Sequence, residues 1–145
     1  MQRKPRRAFT LIELVVVLAI SGLMLVVVVP RVGALYDRQL LEQQARLLEE
    51  ELLWLRSETQ VRGVVSSLQL DGDGGYRLQV QRQVEQRTLV SSRMRIEASS
   101  RAGRIAFSPP RSTAFEKCTL TLRLGEQTRT VAVSDLGRVR VGVAA

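Results

Sequence analysis

Three hydrophobic patterns follow one another along the 145 residues. The first is a block: from Phe9 to Pro30 the only charged residue is Glu13, and Leu14 to Val29 is almost wholly apolar. At about 1.5 Å per residue those positions make a helix of roughly 30 Å, the thickness of a bilayer's hydrocarbon core, so residues 9–30 are predicted to span a membrane. The second pattern is a stripe. Leu41, Ala45, Leu48, Leu52 and Leu55 recur at spacings of four and three, with Glu42, Arg46, Glu49, Glu50 and Arg56 opposite. This predicts an amphipathic helical stretch over residues 31–62, ended by Gly63. The third pattern is alternation. Val64 to Leu70 and Tyr76 to Val80 flank Asp71-Gly72-Asp73-Gly74-Gly75 as a hairpin, and Met94, Ile96 and Ala98 alternate with polar residues. Ile105 and Phe107 make a short strand closed by Ser108-Pro109-Pro110. Cys118 to Leu124 and Thr128 to Val133 make a second hairpin around Gly125-Glu126, and Arg138 to Val143 is a last strand after Asp135-Leu136-Gly137. The fold class is therefore α+β: a long N-terminal helix, its first half transmembrane, packed on a small antiparallel β domain over residues 63–145.

Two residues weaken the apolar helix. Pro30 lacks the N–H that a helix interior needs and its ring crowds the preceding turn, and Gly22 adds a second soft point. At the first hairpin, Asp71-Gly72-Asp73 invites a calcium reading, but a calcium loop starting there needs Gly at its sixth position and Glu at its twelfth. The chain has Tyr76 and Arg82, so the segment reads as a plain turn.

Composition narrows the chemistry. There is no histidine and one cysteine, Cys118, so no Ser-His-Asp triad, Cys-His dyad, Cys/His zinc site or internal disulfide can be built. Cys118 alternates with Leu120, Leu122 and Leu124 and reads as a small buried hydrophobe. No catalytic residue, metal ligand or cofactor is assigned, and the reading is of a non-enzymatic protein. The formal charge is +8, half of it from Arg3, Lys4, Arg6 and Arg7, so a chain lacking residues 1–8 is +4. Basic residues ahead of an apolar span place the N-terminus in the cytoplasm and the rest across the membrane. Residues 63–145 hold 13 basic and 7 acidic residues.

Glu13 is the least expected residue of the block, because a carboxylate within a bilayer costs a few kcal/mol unless it is interfacial or paired. Locally, Thr10-x-x-Glu13 ahead of an apolar run is a capping box at a helix N-terminus. A second reading is an ordinary secretory signal cut after Val32-Gly33-Ala34. The third is a resemblance. Ala8-Phe9-Thr10-Leu11-Ile12-Glu13 resembles the signal of type IV pilins and type II secretion pseudopilins, whose leader a prepilin peptidase removes just before the Phe. The resemblance implies a leader of residues 1–8, cleavage between Ala8 and Phe9, an N-methylated Phe9, and Glu13 as the fifth mature residue, where it serves assembly. Ala8 stands where the family usually has Gly. Gly22 and Pro30 fall where many pilins carry helix-weakening residues that make the stem extensible.

Beyond residue 30, Ala45 to Arg62, Ile105-x-Phe107-x-Pro109 and Val133-Ser134-x-x-Gly137-Arg138 are similar to the GspH/FimT-like group of minor pseudopilins and minor pilins. That resemblance implies two small antiparallel sheets around the stem helix, in a subunit near the tip of a periplasmic filament of type II secretion. It also implies the partners: other major and minor pseudopilins, the prepilin peptidase, an inner-membrane assembly platform, the inner membrane itself, and a secreted substrate. The alternative is DNA uptake, since FimT-like minor pilins that bind DNA carry a Gly-Arg-x-Arg pattern matched by Gly137-Arg138-Val139-Arg140. Against it, strand alternation alone would turn Val139, Val141 and Val143 to the core and leave Arg138 and Arg140 on the solvated face. The later half also has only Phe107 and Phe115 for stacking bases.

Overall fold

The computed structural model describes residues 10–72, 74–114 and 116–143, with side chains left out at 25, 27–32 and 143. One helix, α1 (Leu11–Arg62), precedes nine strands: β1 (Ser66–Asp71), β2 (Gly75–Val80), β3 (Gln83–Thr88), β4 (Arg95–Ala98), β5 (Arg104–Ser108), β6 (Thr113–Ala114), β7 (Cys118–Leu124), β8 (Gln127–Val133) and β9 (Val139–Val143). The chain divides into two units, Met1–Leu35 and Tyr36–Ala145.

In the first unit, Thr10 starts the helix: its Oγ1 and its carbonyl both accept from the backbone N–H of Glu13, at 3.3 and 3.1 Å. The backbone stays helical through Gly22 and Pro30. Every described side chain from Leu11 to Met24 is exposed, so this segment builds no core of its own. Among the described residues no helix is long and apolar enough to cross a membrane. The expected span of residues 9–30 is interrupted by the positions whose side chains lie outside that description.

The second unit has a single core. Leu41, Ala45, Leu48, Leu52 and Leu55 are buried from α1, as their spacing predicts, and pack with Leu68, Phe107, Leu120, Leu122 and Val131. Cys118 joins them as a free, buried thiol. Two polar residues on the same helical face are buried as well, and the stripe did not foretell them. Gln44 donates through Nε2 to the Tyr76 hydroxyl at 3.5 Å and accepts from the Val90 N–H at 2.8 Å. Thr59 and Ser66 share a 2.6 Å hydrogen bond, and the Ser66 hydroxyl donates to the Leu55 carbonyl at 2.8 Å, so Thr59 is the donor of the pair. These bonds tie the end of α1 to the first strand. Gly63 stops the helix as expected, in the left-handed region (φ +64°) with its N–H on the Thr59 carbonyl at 3.0 Å.

The strands form two antiparallel sheets, in the orders β3-β2-β1-β5-β6 and β4-β7-β8-β9. Both expected hairpins are present, with Leu70 opposite Tyr76 and Leu124 opposite Gln127. Three features differ from the sequence reading. Strand β3 was not foreseen because all six of its residues are exposed, so it shows no apolar alternation. The two-residue β6 was also missed, and its length carries no periodicity. On β9, Val139 packs against the core but Val141 is exposed, since this edge strand pairs with β8 alone.

Candidate functional site

Two regions carry the residues that the sequence singled out. Of the N-terminal set, Ala8 and Phe9 lie outside the described residues. Glu13 sits in the first turn of α1, exposed, and its backbone rather than its carboxylate makes the capping bond to Thr10. The capping box is thus present in its Thr10 half. The side chains on both sides are apolar and open: Leu11 is 81% and Ile12 72% exposed. A lone carboxylate on such a surface has no partner within the described part of its own unit, which makes it available to one from outside. Gly22 is exposed in mid-helix, with no atom within 4 Å of where a Cβ would sit.

The C-terminal set is built on the β8–β9 turn. The Gly137 N–H bonds the Ser134 carbonyl at 2.9 Å, the Arg138 N–H bonds the Ser134 hydroxyl at 3.1 Å, and the Ser134 N–H returns to the Arg138 carbonyl at 3.0 Å. Gly137 is required here: it is buried at φ +71°, and a Cβ would lie 2.6 Å from the Ser112 carbonyl oxygen. Arg138, the last residue of the turn, and Arg140, on β9, are both exposed. They line a groove of about 260 Å³ together with Lys117, Asp135 and Leu136. Sequence reasoning missed Lys117, which stands some 20 residues upstream and joins the arginines only through the pairing of β7, β8 and β9. None of the three cations has an ion pair among the described residues. Several arginines elsewhere do: Arg46 with Glu42 (2.7 Å), Arg77 with Asp71 (2.6 Å), Arg87 with Glu85 (2.6 Å) and Arg93 with Asp37 (3.1 Å). The Arg46 guanidinium bonded to Glu42 holds that carboxyl below its ordinary range. Asp71, the first residue of the suspected calcium loop, is engaged by Arg77, and Asp73 lies outside the described residues.

The comparisons agree with this anatomy. Residues 3–29 match the family model described as the prokaryotic N-terminal methylation motif. The type IV minor pilin FimU of Pseudomonas aeruginosa PAO1 superposes with a TM-score of 0.62 at 16% identity, over 73% of this chain and 90% of that one. A second crystal form of FimU gives 0.58 at 16%, over 70% and 92%. The minor pseudopilin EpsH from the Type 2 Secretion System of Vibrio cholerae gives 0.50 at 15%, over 71% and 96%. No curated protein sequence matches the chain. The fold is thus type IV pilin-like: an N-terminal helix followed by a small antiparallel β domain. The chain joins an N-terminal methylation motif to a pilin-like fold, similar in fold to a pilus subunit and to a secretion pseudopilin alike.

Proposed function

We propose that this protein is a minor subunit of a type II secretion pseudopilus, assembled through its N-terminal helix and helping to form the filament tip that drives folded proteins across the outer membrane. The observation that carries the reading is the methylation motif over residues 3–29, set on a helix with every described side chain from Leu11 to Met24 exposed, at the head of a pilin-like fold. In this reading a prepilin peptidase cuts between Ala8 and Phe9 and methylates the Phe9 amine. Residues 9–30 lie in the bacterial inner membrane, with Gly22 and Pro30 as soft points of the stem and the β domain in the periplasm. The Phe9 amine stays cationic after methylation and pairs with Glu13 of a neighbouring subunit. Desolvation of both charges offsets much of their attraction, so the pair sets register more than it adds stability.

Glu13→Ala tests this cleanly, because the helix cap uses the Glu13 backbone N–H and survives the substitution. The variant is expected to insert and to be cleaved, with mass spectrometry giving a mature chain that starts at N-methylated Phe9, yet to be absent from crosslinked pseudopilin complexes. Normal incorporation of the variant would refute the assembly role, and a mature start at Leu35 would point to an ordinary signal peptide. A second reading, a minor pilin receiving DNA, is favoured by the groove that gathers Lys117, Arg138 and Arg140. Deleting the gene and scoring exoprotein release and DNA uptake in parallel separates the two: loss of release supports secretion, and loss of uptake alone supports the pilin.

A further inference from the structure

Strand β4 is a sheet edge. It pairs with β7 on one side, in the register Arg95–Arg123 through Ala98–Leu120, and ends the order β4-β7-β8-β9. The next pair in that register, Ser99 and Thr119, is joined by the Ser99 N–H on the Thr119 carbonyl at 2.9 Å. Hydrogen-bonded pairs alternate along an antiparallel ladder, so Arg95 and Glu97 bond towards β7 while the N–H and C=O of Ile96 and Ala98 point away from it. Among the described residues nothing meets those groups on the far side. A groove of about 720 Å³ runs along the edge instead, faced from the other sheet by Leu70, Asp71 and the hairpin glycines. The side chains alternate accordingly. Met94 is buried, Ile96 and Ala98 pack on the core, and Arg95 and Glu97 are exposed without an ion pair among the described residues.

We infer that β4 is a docking edge for a second copy of this chain, pairing antiparallel with its own counterpart about Ile96. Its charge pattern is self-complementary. With Ile96 opposite Ile96, each Arg95 faces a Glu97 and each Ala98 faces a Met94. The backbone phase agrees: Ile96 meets Ile96 as a hydrogen-bonded pair through the outward N–H and C=O groups. Arg95 and Glu97 then occupy the non-hydrogen-bonded positions, where side chains across the ladder are closest. The neighbouring registers that keep this phase are disfavoured. A shift one way sets Arg95 against Arg95, and the Arg93 it brings opposite Glu97 is already engaged by Asp37 of its own chain at 3.1 Å; a shift the other way sets Glu97 against Glu97. The pattern selects a single register, and two-fold pairing joins the two four-stranded sheets into one continuous sheet.

The test is a charge swap in the full chain, in detergent micelles, by sedimentation over a concentration series. The unmodified chain is expected to dimerise. Arg95→Glu and Glu97→Arg each turn two attractive cross-strand pairs repulsive and are expected to weaken the dimer at least about tenfold. The double variant, which restores both pairs, is expected to return to the original affinity. A chain that stays monomeric throughout overturns the inference. So does a dimer equally strong in all four proteins, since association through the apolar helix is blind to residues 95 and 97. Capture of a different protein by a chain that remains monomeric also overturns it, by showing that a second copy is the wrong occupant.

Discussion

Replacing Gly137 with alanine should lower the melting temperature far more than removing either arginine beside it. Two costs combine. At φ +71° a side chain is left-handed, at about 1–2 kcal/mol. The added Cβ would also lie 2.6 Å from the Ser112 carbonyl oxygen, a backbone atom that yields only if the segment around it shifts. Overpacking of that kind costs about 1–3 kcal/mol. Together they reach roughly 2–5 kcal/mol. For the unit Tyr36–Ala145, an unfolding entropy of about 2.1 cal/mol/K per residue makes each kcal/mol worth ~4 °C, so the drop is roughly 8–20 °C. Gly63→Ala is the matched control: φ is +64° but no atom lies within 4 Å, so only the conformational cost applies, roughly 4–8 °C. Circular dichroism melts of the purified full chain provide the measurement. Equal drops for the two glycine variants, or a Gly137→Ala protein melting like the parent, would show that the Ser112 contact does not constrain the turn. The comparison decides what the glycine of Gly-Arg-x-Arg is for, because a turn requirement accounts for it whatever the arginines bind.

Leu52→Ala removes a fully buried side chain of α1 and should cost about 2–5 kcal/mol, read as a shifted denaturant midpoint with an unchanged slope. Burial, and then the Glu51 carboxylate beside it, push the Tyr76 phenol above its ordinary range. A group raised on folding contributes stability in full below its unfolded value near pH 10 and loses it as pH rises towards its folded value. The parent should therefore weaken above about pH 10, and Tyr76→Phe should flatten that alkaline limb in melts taken from pH 8 to 11. In a salt-controlled filter-binding assay, Lys117→Ala combined with Arg138→Ala and Arg140→Ala should abolish whatever duplex DNA the parent retains. Retention unchanged in the triple variant would remove the groove from consideration.

The helical half was legible because its signal is local. Five apolar residues at spacings of four and three specify which face of α1 is buried, and Gly63 specifies where it ends. Both hairpins around glycine-rich turns were legible for the same reason. Strand β3 was not, since Gln83–Thr88 lies at a sheet edge with both faces in water and needs no apolar alternation. The burial of Gln44 and Thr59 had no local signal, because it is satisfied by partners 46 and seven residues away that the helical pattern does not contain. Lys117 escaped for a topological reason: β7 and β9 are both neighbours of β8, so the groove exists only once the sheet order is known. The match over residues 3–29 covers a motif that the sequence displayed openly, while Phe9 and Ala8 remain matters for chemistry rather than geometry.

The charge of the β domain is not spread evenly, and that bears on the DNA reading. Arg77, Arg87 and Arg93 of the β domain, and Arg46 and Arg62 of the helix beside it, each lie within ion-pair distance of a carboxylate. Their contribution to the field beyond the surface is small. Lys117, Arg138 and Arg140, like Arg82, Arg95 and Arg123 elsewhere on the domain, have no ion pair among the described residues, but these three act together in one groove, where Asp135 spends one carboxylate oxygen on the Leu136 N–H. At physiological ionic strength a field fades over about 8 Å, so the groove acts on what touches it and not at a distance. If all three cations meet phosphates, the logarithm of the binding constant falls with that of the salt concentration at a slope of about −2.7. Binding then drops roughly fortyfold between 50 and 200 mM salt. One groove of this kind holds duplex DNA only weakly under cellular conditions. A DNA-receiving filament would need several such subunits, or a second subunit type, to engage one duplex at once, whereas a tip subunit of a secretion filament needs no such multiplicity.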